Sequence, residues 1–269
     1  MLTRMKKVAR RVVSKPFLLN RHISRELREG EPELRLLSII CRADGEFLDV
    51  GANQGVYAGY AARFSKKVIA LEPHPGVAAE LACSVPGNVE VIRAAASDRA
   101  GTAQLRVPTT AGSDVTTRSS LESDANPGFG ERTVDIELIT IDSLRIDNLA
   151  AIKIDVEGHE FSVLAGARGT IARFKPVVII ECEERHHVGG TARLAQFFAG
   201  VQYDGYFLFE NKLTNFSEFD PARMQNLQNL RSANGGRPRN YVNNFIFISS
   251  PSEGLAGRLR SAFSGKSTR

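Results

Sequence analysis

The residues able to do chemistry in this chain cluster where apolar runs end. Asp49 lies within FLDV (47–50), and Gly51, Asn53 and Gly55 follow it in DVGANQG. Glu72 closes KVIALE (67–72), Asp98 follows VEVIRAAAS (89–97), and Asp155, Glu157 and His159 sit in KIDVEGHE. Glu181 lies in VVIIECEE (177–184), with His186 and His187 just beyond. A glycine-spaced turn between strand and helix lets the chain reverse sharply and brings backbone N–H groups near a ligand. Asn53 replaces the middle glycine of the dinucleotide fingerprint, and no phosphate-cradling lysine follows the turn. The ligand is therefore not read as a phosphate. Glu72, 21 residues after Gly51, stands where an acid in a βαβ nucleotide site accepts hydrogen bonds from ribose hydroxyls. Asp98 is on the correct side of the sheet for an adenine amino group, although SD-x-x-G is equally an ordinary turn.

Lys153, Asp155 and Glu157 share one face of a strand and its exit, because strand side chains alternate with period two. A lysine within a buried strand must be paired or carry a function. Asp155 is its nearest candidate partner, so a structural ion pair accounts for Lys153 as well as a functional role does. The adjacent His186 and His187 point apart on extended chain and are read as loop residues.

These positions require strands at 47–50, 67–72, 89–97, 150–156 and 177–184, with helical patterns in VYAGYAARF, GVAAELACS and EFSVLAGARGTIARF between them. That alternation is the signature of a mostly parallel sheet covered on both faces. EPELRLLSIICRAD reads as a preceding helix, with Leu34, Leu37, Ile40 and Cys41 on one face. YDGYFLFE (203–210) and NNFIFIS (243–249) are expected to pair as an antiparallel ribbon at the sheet edge. AQLRVP and TVDIELIT are two further strands flanking a long polar loop, of the length usual for a functional lid or a disordered segment.

Composition narrows the classes. Of 35 basic and 30 acidic residues, residues 1–35 hold ten Lys or Arg against four Glu, and residues 251–269 hold four against one. The basic character thus belongs to the ends, and the body is slightly acidic, which argues against nucleic-acid binding. Three scattered cysteines, Cys41, Cys83 and Cys182, fit neither a disulfide framework nor a zinc site, and a cytoplasmic location is expected. No apolar run approaches a membrane span. Leu2, Met5, Val8, Val12 and Val13 recur at helical spacing among basic residues. A helix docked on its own domain or a frayed end is the favoured reading, with peripheral membrane contact through residues 1–20 and an organelle transit peptide as the others. The chain divides into a basic helical extension (1–30), a main domain (31–250) and a basic flexible tail (251–269).

Taken in order, DVGANQG, ALEPHP, AASDRAG, TIDSL, KIDVEGHEFSVLAGA and VIIECEE resemble the FkbM-type family of S-adenosylmethionine-dependent methyltransferases over residues 45–250. The resemblance implies a class I, Rossmann-like methyltransferase fold: a seven-stranded, mostly parallel sheet with an antiparallel C-terminal edge strand and the cofactor over the strand ends. It further implies O-methylation of a saccharide, glycoconjugate or macrolide-like acceptor. S-adenosylmethionine would meet the turn amides at Gly51, Asn53 and Gly55 with its carboxylate. Asp49 would lie near its ammonium, Glu72 its ribose and Asp98 its adenine, with Asp155 beside it. Asp155, Glu157, His159, Glu181 and His186 are candidate bases, of which Asp155, Glu181 and His159 are taken as catalytic. Asp155 and Glu181 could jointly hold Mg²⁺, a less favoured reading that leaves the site without a metal. Acceptor choice is assigned to loops 109–132 and 211–240. A nicotinamide-dependent oxidoreductase, or a catalytically silent nucleoside-binding module, would share the Glu72 logic.

Overall fold

The computed structural model describes residues 14–110, 113–114, 116, 119–122, 130–230 and 240–264. The basic pattern from Leu2 to Val13, with its proposed membrane contact, lies outside them. Twelve strands build two sheets among the described residues. They are β1 (Glu46–Val50), β2 (Lys67–Leu71), β3 (Val89–Ile92), β4 (Ala95–Ala96), β5 (Gly101–Thr110) and β6 (Ser113–Asp114). The rest are β7 (Gly130–Ile139), β8 (Leu149–Ile154), β9 (Val177–Glu181), β10 (Tyr203–Phe209), β11 (Lys212–Asn215) and β12 (Asn244–Ser249). The main sheet runs β11-β10-β12-β9-β8-β1-β2-β3, and the second runs β4-β7-β5-β6.

Contiguous strands β3, β2, β1, β8 and β9 pair in parallel. Each splits its side chains between two apolar layers, as the two-residue repeat dictates. Leu48, Val50, Ile152, Ile154, Val178 and Ile180 enter one layer with Val163, Leu164, Ile171 and Phe198. Phe47, Ala151 and Ile179 enter the other with Leu34, Leu37, Ala58 and Leu81. The same alternation sends Asp49 and Lys153 to the second side, where they are direct partners across β1 and β8. Burial on both faces is why these strands read as continuous apolar runs.

The architecture is the expected α/β fold, with differences in detail. The main sheet has eight strands, and β12 is not at its edge: it pairs antiparallel with both β9 and β10. The edge is β11, joined to β10 by a two-residue hairpin turn in which Glu210 and Asn211 both have positive φ, 49° and 60°. The expected strand 89–97 breaks after Ile92, where the Ala94 N–H turns back to the Ile92 carbonyl, and β4 crosses into the second sheet. There β5 and β7 form a long antiparallel pair over a small core of Leu105, Val107, Ile136 and Leu138.

The two ends also depart from expectation. Helix α1 (Lys15–Glu29) is no separate extension. It buries Leu19 and Ile23 against α2 (Val56–Ala61), where a β-carbon on Gly59 would lie 2.9 Å from Leu19 Cδ2. At the other end, Glu253–Ser264 is helical rather than a flexible tail, with Ala256 and Leu259 fully buried. No described helix is long and apolar enough to cross a membrane.

The layer on the Val50 side is closed by Phe198, from helix Gly190–Gly200, stacked on Phe247 of β12 with centroids 3.8 Å apart. Both rings are essentially excluded from water. Phe198→Ala is expected to cost about 3–5 kcal/mol through lost burial and a residual cavity. Chemical denaturation checks this, and a loss below about 1 kcal/mol would contradict the stacked placement.

Candidate active site

A cavity of about 310 Å³ opens at the carboxyl ends of β1, β2, β8 and β9. Val50, Gly51, Asn53, Glu72, Ala94–Ala96 and Leu105 line one part of it, and Asp155, Glu157, His159, Glu181 and Asn243 another. A second cavity of about 260 Å³ lies beside it, lined by Asp49, Tyr57 and Lys153 and closed by His22 and Glu26 of α1. Glu31, Gly51, Asn53 and Asp155 line both. Gly51, Asn53, Glu72, Asp155, His159 and Glu181 therefore converge on one cleft, as the sequence leads one to expect.

The turn after β1 differs from expectation in what its amides do. Gly51 and Ala52 both donate to the Leu71 carbonyl, Gly55 donates to Ala52, and the Asn53 N–H donates to Glu72 Oε2 at 2.9 Å. These groups are committed inside the protein rather than turned toward a ligand. Gly51, at φ 84°, is required by close approach, since a β-carbon there would lie 1.8 Å from the Asp155 carbonyl oxygen. Gly55, at φ 80°, is likewise a packing residue, since its β-carbon would meet Leu81 Cδ1 at 2.3 Å. It does not line either cavity. Asn53 Oδ1, by contrast, is buried without a hydrogen-bond partner, and it sits where the two cavities meet.

Glu72 is buried and accepts from the amides of Asn53 and His74. Burial raises its carboxyl above the ordinary range despite those two donors. Each oxygen keeps acceptor capacity for a ligand hydroxyl. Asp49 accepts from Ala58 N–H at 2.8 Å and so anchors α2. Burial pushes its carboxyl to about 7 against the opposing effect of Lys153. Asp98 is not brought to the cavity: it is exposed, accepts from Ser97 Oγ and pairs with Arg99.

Lys153, 1% exposed, is the electrostatic centre. Its Nζ donates to Asp155 Oδ2 at 3.2 Å and Asn244 Oδ1 at 3.1 Å, and lies 5.2 Å from the Tyr57 ring centroid. Burial alone would strip its proton, but Asp155, Glu181 and Asp49 hold its pKa above the ordinary lysine value. Burial, then Asp155, pushes the Glu181 carboxyl well up. Glu31, which the sequence reading missed, accepts from Tyr57 Oη at 2.6 Å. Its carboxylate, with those of Asp155 and Glu181, places oxygens within 4.8 Å of one another.

His159 is held at both ring nitrogens. Nε2 lies 3.0 Å from Ser97 Oγ and Nδ1 2.8 Å from Glu122 Oε1. Ser120 Oγ also donates to the Glu157 carbonyl at 2.6 Å, so residues 119–122 are strapped over the turn after β8. Of the loops assigned to acceptor choice, Thr116 and Ser119–Leu121 reach the cavity, while 111–112, 115, 117–118, 123–129 and 231–239 lie outside the described residues. Residues 212–215 form the far edge strand instead. His187 Nε2 bonds the Gly158 carbonyl, whereas His186 Nε2, 3.4 Å from Glu157 Oε2, is buried without a hydrogen-bond partner.

A mostly parallel sheet in which β12 is inserted antiparallel between β9 and β10, with a cleft over the carboxyl ends of β1, β2 and β8, defines the class I methyltransferase fold. The profile of the Methyltransferase FkbM domain matches residues 49–230, and the chain belongs to that family. A methyltransferase FkbM from Methylobacillus flagellatus KT has a similar structure, with a TM-score of 0.47 and 17% identity. It covers 77% of this chain, which spans 44% of that protein. A protein from Streptococcus mutans solved in complex with SAH also has a TM-score of 0.47, at 9% identity, covering 81% and 96% of the two chains. A SAM dependent methyltransferase from Aquifex aeolicus has 0.42 and 12%, covering 87% and 97%. No curated protein matches significantly.

One acid beneath the site yields a test of its electrostatics. Glu33 is 5% exposed, and burial pushes its carboxyl up to about 7. Because the folded state holds this proton more tightly than the unfolded chain does, its contribution is full below the ordinary glutamate value. It is lost as pH rises from about 4 to 7. Glu33→Gln should match wild type near pH 4 and be more stable by on the order of 2 kcal/mol at pH 7.5. Parallel pH profiles of denaturation for the two proteins would contradict this.

Proposed function

We propose that the protein transfers a methyl group from S-adenosylmethionine to a hydroxyl oxygen of a saccharide, glycoconjugate or macrolide-like acceptor. The observation that carries this reading is the meeting of two unlike regions in one cleft. One is a ribose-type acid, Glu72, beside the small residues Ala94–Ala96, and the other is the carboxylate group of Asp155, Glu157 and Glu181. The residues present fit the cofactor: Asn53 Oδ1 is buried and unpartnered between the cavities, and Glu72 has free acceptor capacity for hydroxyls. Glu72 would hold the ribose, Ala94–Ala96 would flank the adenine, and Asp49 and Asp155 would face the amino-acid end. When bound, S-adenosylmethionine supplies an electrophilic methyl on a sulfonium.

The chain's own contribution is to place an acceptor oxygen against that methyl and remove the proton the oxygen must shed. Alignment of this kind is worth up to about 7–11 kcal/mol by effective-molarity reasoning. Among Asp155, Glu181 and His159, Glu181 is the best base. Its raised carboxyl brings its basicity toward that of the task, and it faces the cavity. Asp155 is already bound to Lys153 and is assigned to the cofactor's amino-acid end. His159 has both nitrogens occupied and would serve by holding residues 119–122 in place.

Calorimetric titration with S-adenosylhomocysteine should show one site, weakened at least about tenfold in Glu72→Ala, the scale of losing charged hydrogen bonds. Equal affinity in the variant would sink the assignment of Glu72. For the reaction, isotopically labelled methyl donor and a fractionated glycan extract should give product carrying label on oxygen, read by NMR, and Glu181→Gln should lower kcat at least about hundredfold. Label found only on nitrogen or carbon would overturn the O-methylation reading.

A further inference from the structure

The engaged amides of the turn leave a question about the cofactor's amino-acid end. A carboxylate entering a buried site needs donors or a countercharge, and Gly51, Ala52, Asn53 and Gly55 have each committed their N–H groups within the protein. Among the described residues lining the two cavities there is one Lys or Arg, Lys153, and it lines the second. Around it in the same cavity are Asp49, Asp155 and Glu31. One cation among several carboxylates is the complement of a zwitterion, an ammonium and a carboxylate on one carbon.

Resting on the methyl-donor reading above, we propose that Lys153 is the residue that recognises the methionine carboxylate, with the neighbouring acids receiving the ammonium. The ammonium of Lys153 has three N–H donors. Two are well used, on Asp155 and Asn244, while the third makes a long 3.4 Å contact to the Ile154 carbonyl. That weak contact is the donor free to be redirected toward a ligand. Lys153 is also held rigidly: it is buried, runs along β8 between β1 and β9, and faces the Tyr57 ring. A charged donor fixed before binding loses little freedom when the ligand arrives. The assignment makes the amino-acid end a specificity element, so that a nucleoside thioether without a carboxylate is discriminated against by this one side chain.

The test compares S-adenosylhomocysteine with its decarboxylated analogue by calorimetry, on wild type and Lys153→Met. Wild type should prefer S-adenosylhomocysteine by about tenfold to hundredfold, the range for a charge-assisted hydrogen bond in a buried site. Lys153→Met should bind the analogue at least as well as wild type does and lose the preference. Because that variant leaves Asp155 without its partner, Lys153→Met with Asp155→Asn is measured alongside, and there too the preference should vanish. A preference that survives either substitution overturns the inference. So does an equal loss for both ligands in each variant, which would make Lys153 a purely structural ion-pair partner. If wild type binds neither ligand, the methyl-donor reading itself fails, a result distinct from the others.

Discussion

A buried lysine is the constraint on which the site depends. Carboxylates do not gather in a low-dielectric interior unless something holds their charge, because each would otherwise take up a proton or leave the fold. Asp49, Asp155, Glu181 and Glu31 all border the two adjoining cavities, the second of which Lys153 lines. Where Lys153 is in contact, at Asp155, its charge is shared directly. Farther away, at Glu181 and Asp49, burial wins and the carboxyls rise. One ammonium thus anchors Asp155 by a direct bond, while burial governs the carboxyls of Glu181 and Asp49.

The sheet order follows from the same requirement. Lys153 needs a neutral partner as well as an acidic one, and Asn244 supplies it from β12 at 3.1 Å. Asn244 lies against the end of β9 as the register partner of Glu181. At the outer edge of the sheet, β12 would be separated from β8 by β10 as well as β9. Inserting β12 between β9 and β10 also places Phe245 and Phe247 in the layer with Phe198. A single strand placement therefore serves both packing and electrostatics.

What could be read from the sequence was whatever depends on period and strand ends. The five parallel strands, the acid at the end of the second and the convergence of Gly51, Glu72 and Asp155 followed from apolar runs and their termini. What could not be read depends on contacts distant in sequence. Glu31 precedes the first strand in a charged segment with no motif, and its place at the cleft depends on contacts such as the hydrogen bond from Tyr57. The β10–β11 turn is Glu-Asn, without the glycine that marks most hairpins of this type, so the edge strand was not expected. The break after Ile92 was hidden because RAAAS continues an apolar strand pattern. Asp98 was misassigned for the same reason: its position after a supposed strand end was correct, but the chain had already crossed into the second sheet.

The glycines carry the same lesson about inference from motifs. A glycine-rich turn after a strand suggests backbone donors aimed at a ligand, and the residue types here fit that picture. Yet the structure gives Gly51 and Gly55 reasons that involve no ligand at all, a carbonyl oxygen at 1.8 Å from one would-be β-carbon and a leucine at 2.3 Å from the other. The turn's service to the site is indirect. By packing tightly on Asp155 and lending an amide to Glu72, it fixes the spacing between the acid at the end of β2 and the acid after β8. The turn's contribution to the cleft is therefore its packing and its amide to Glu72, rather than donors aimed into the cavity.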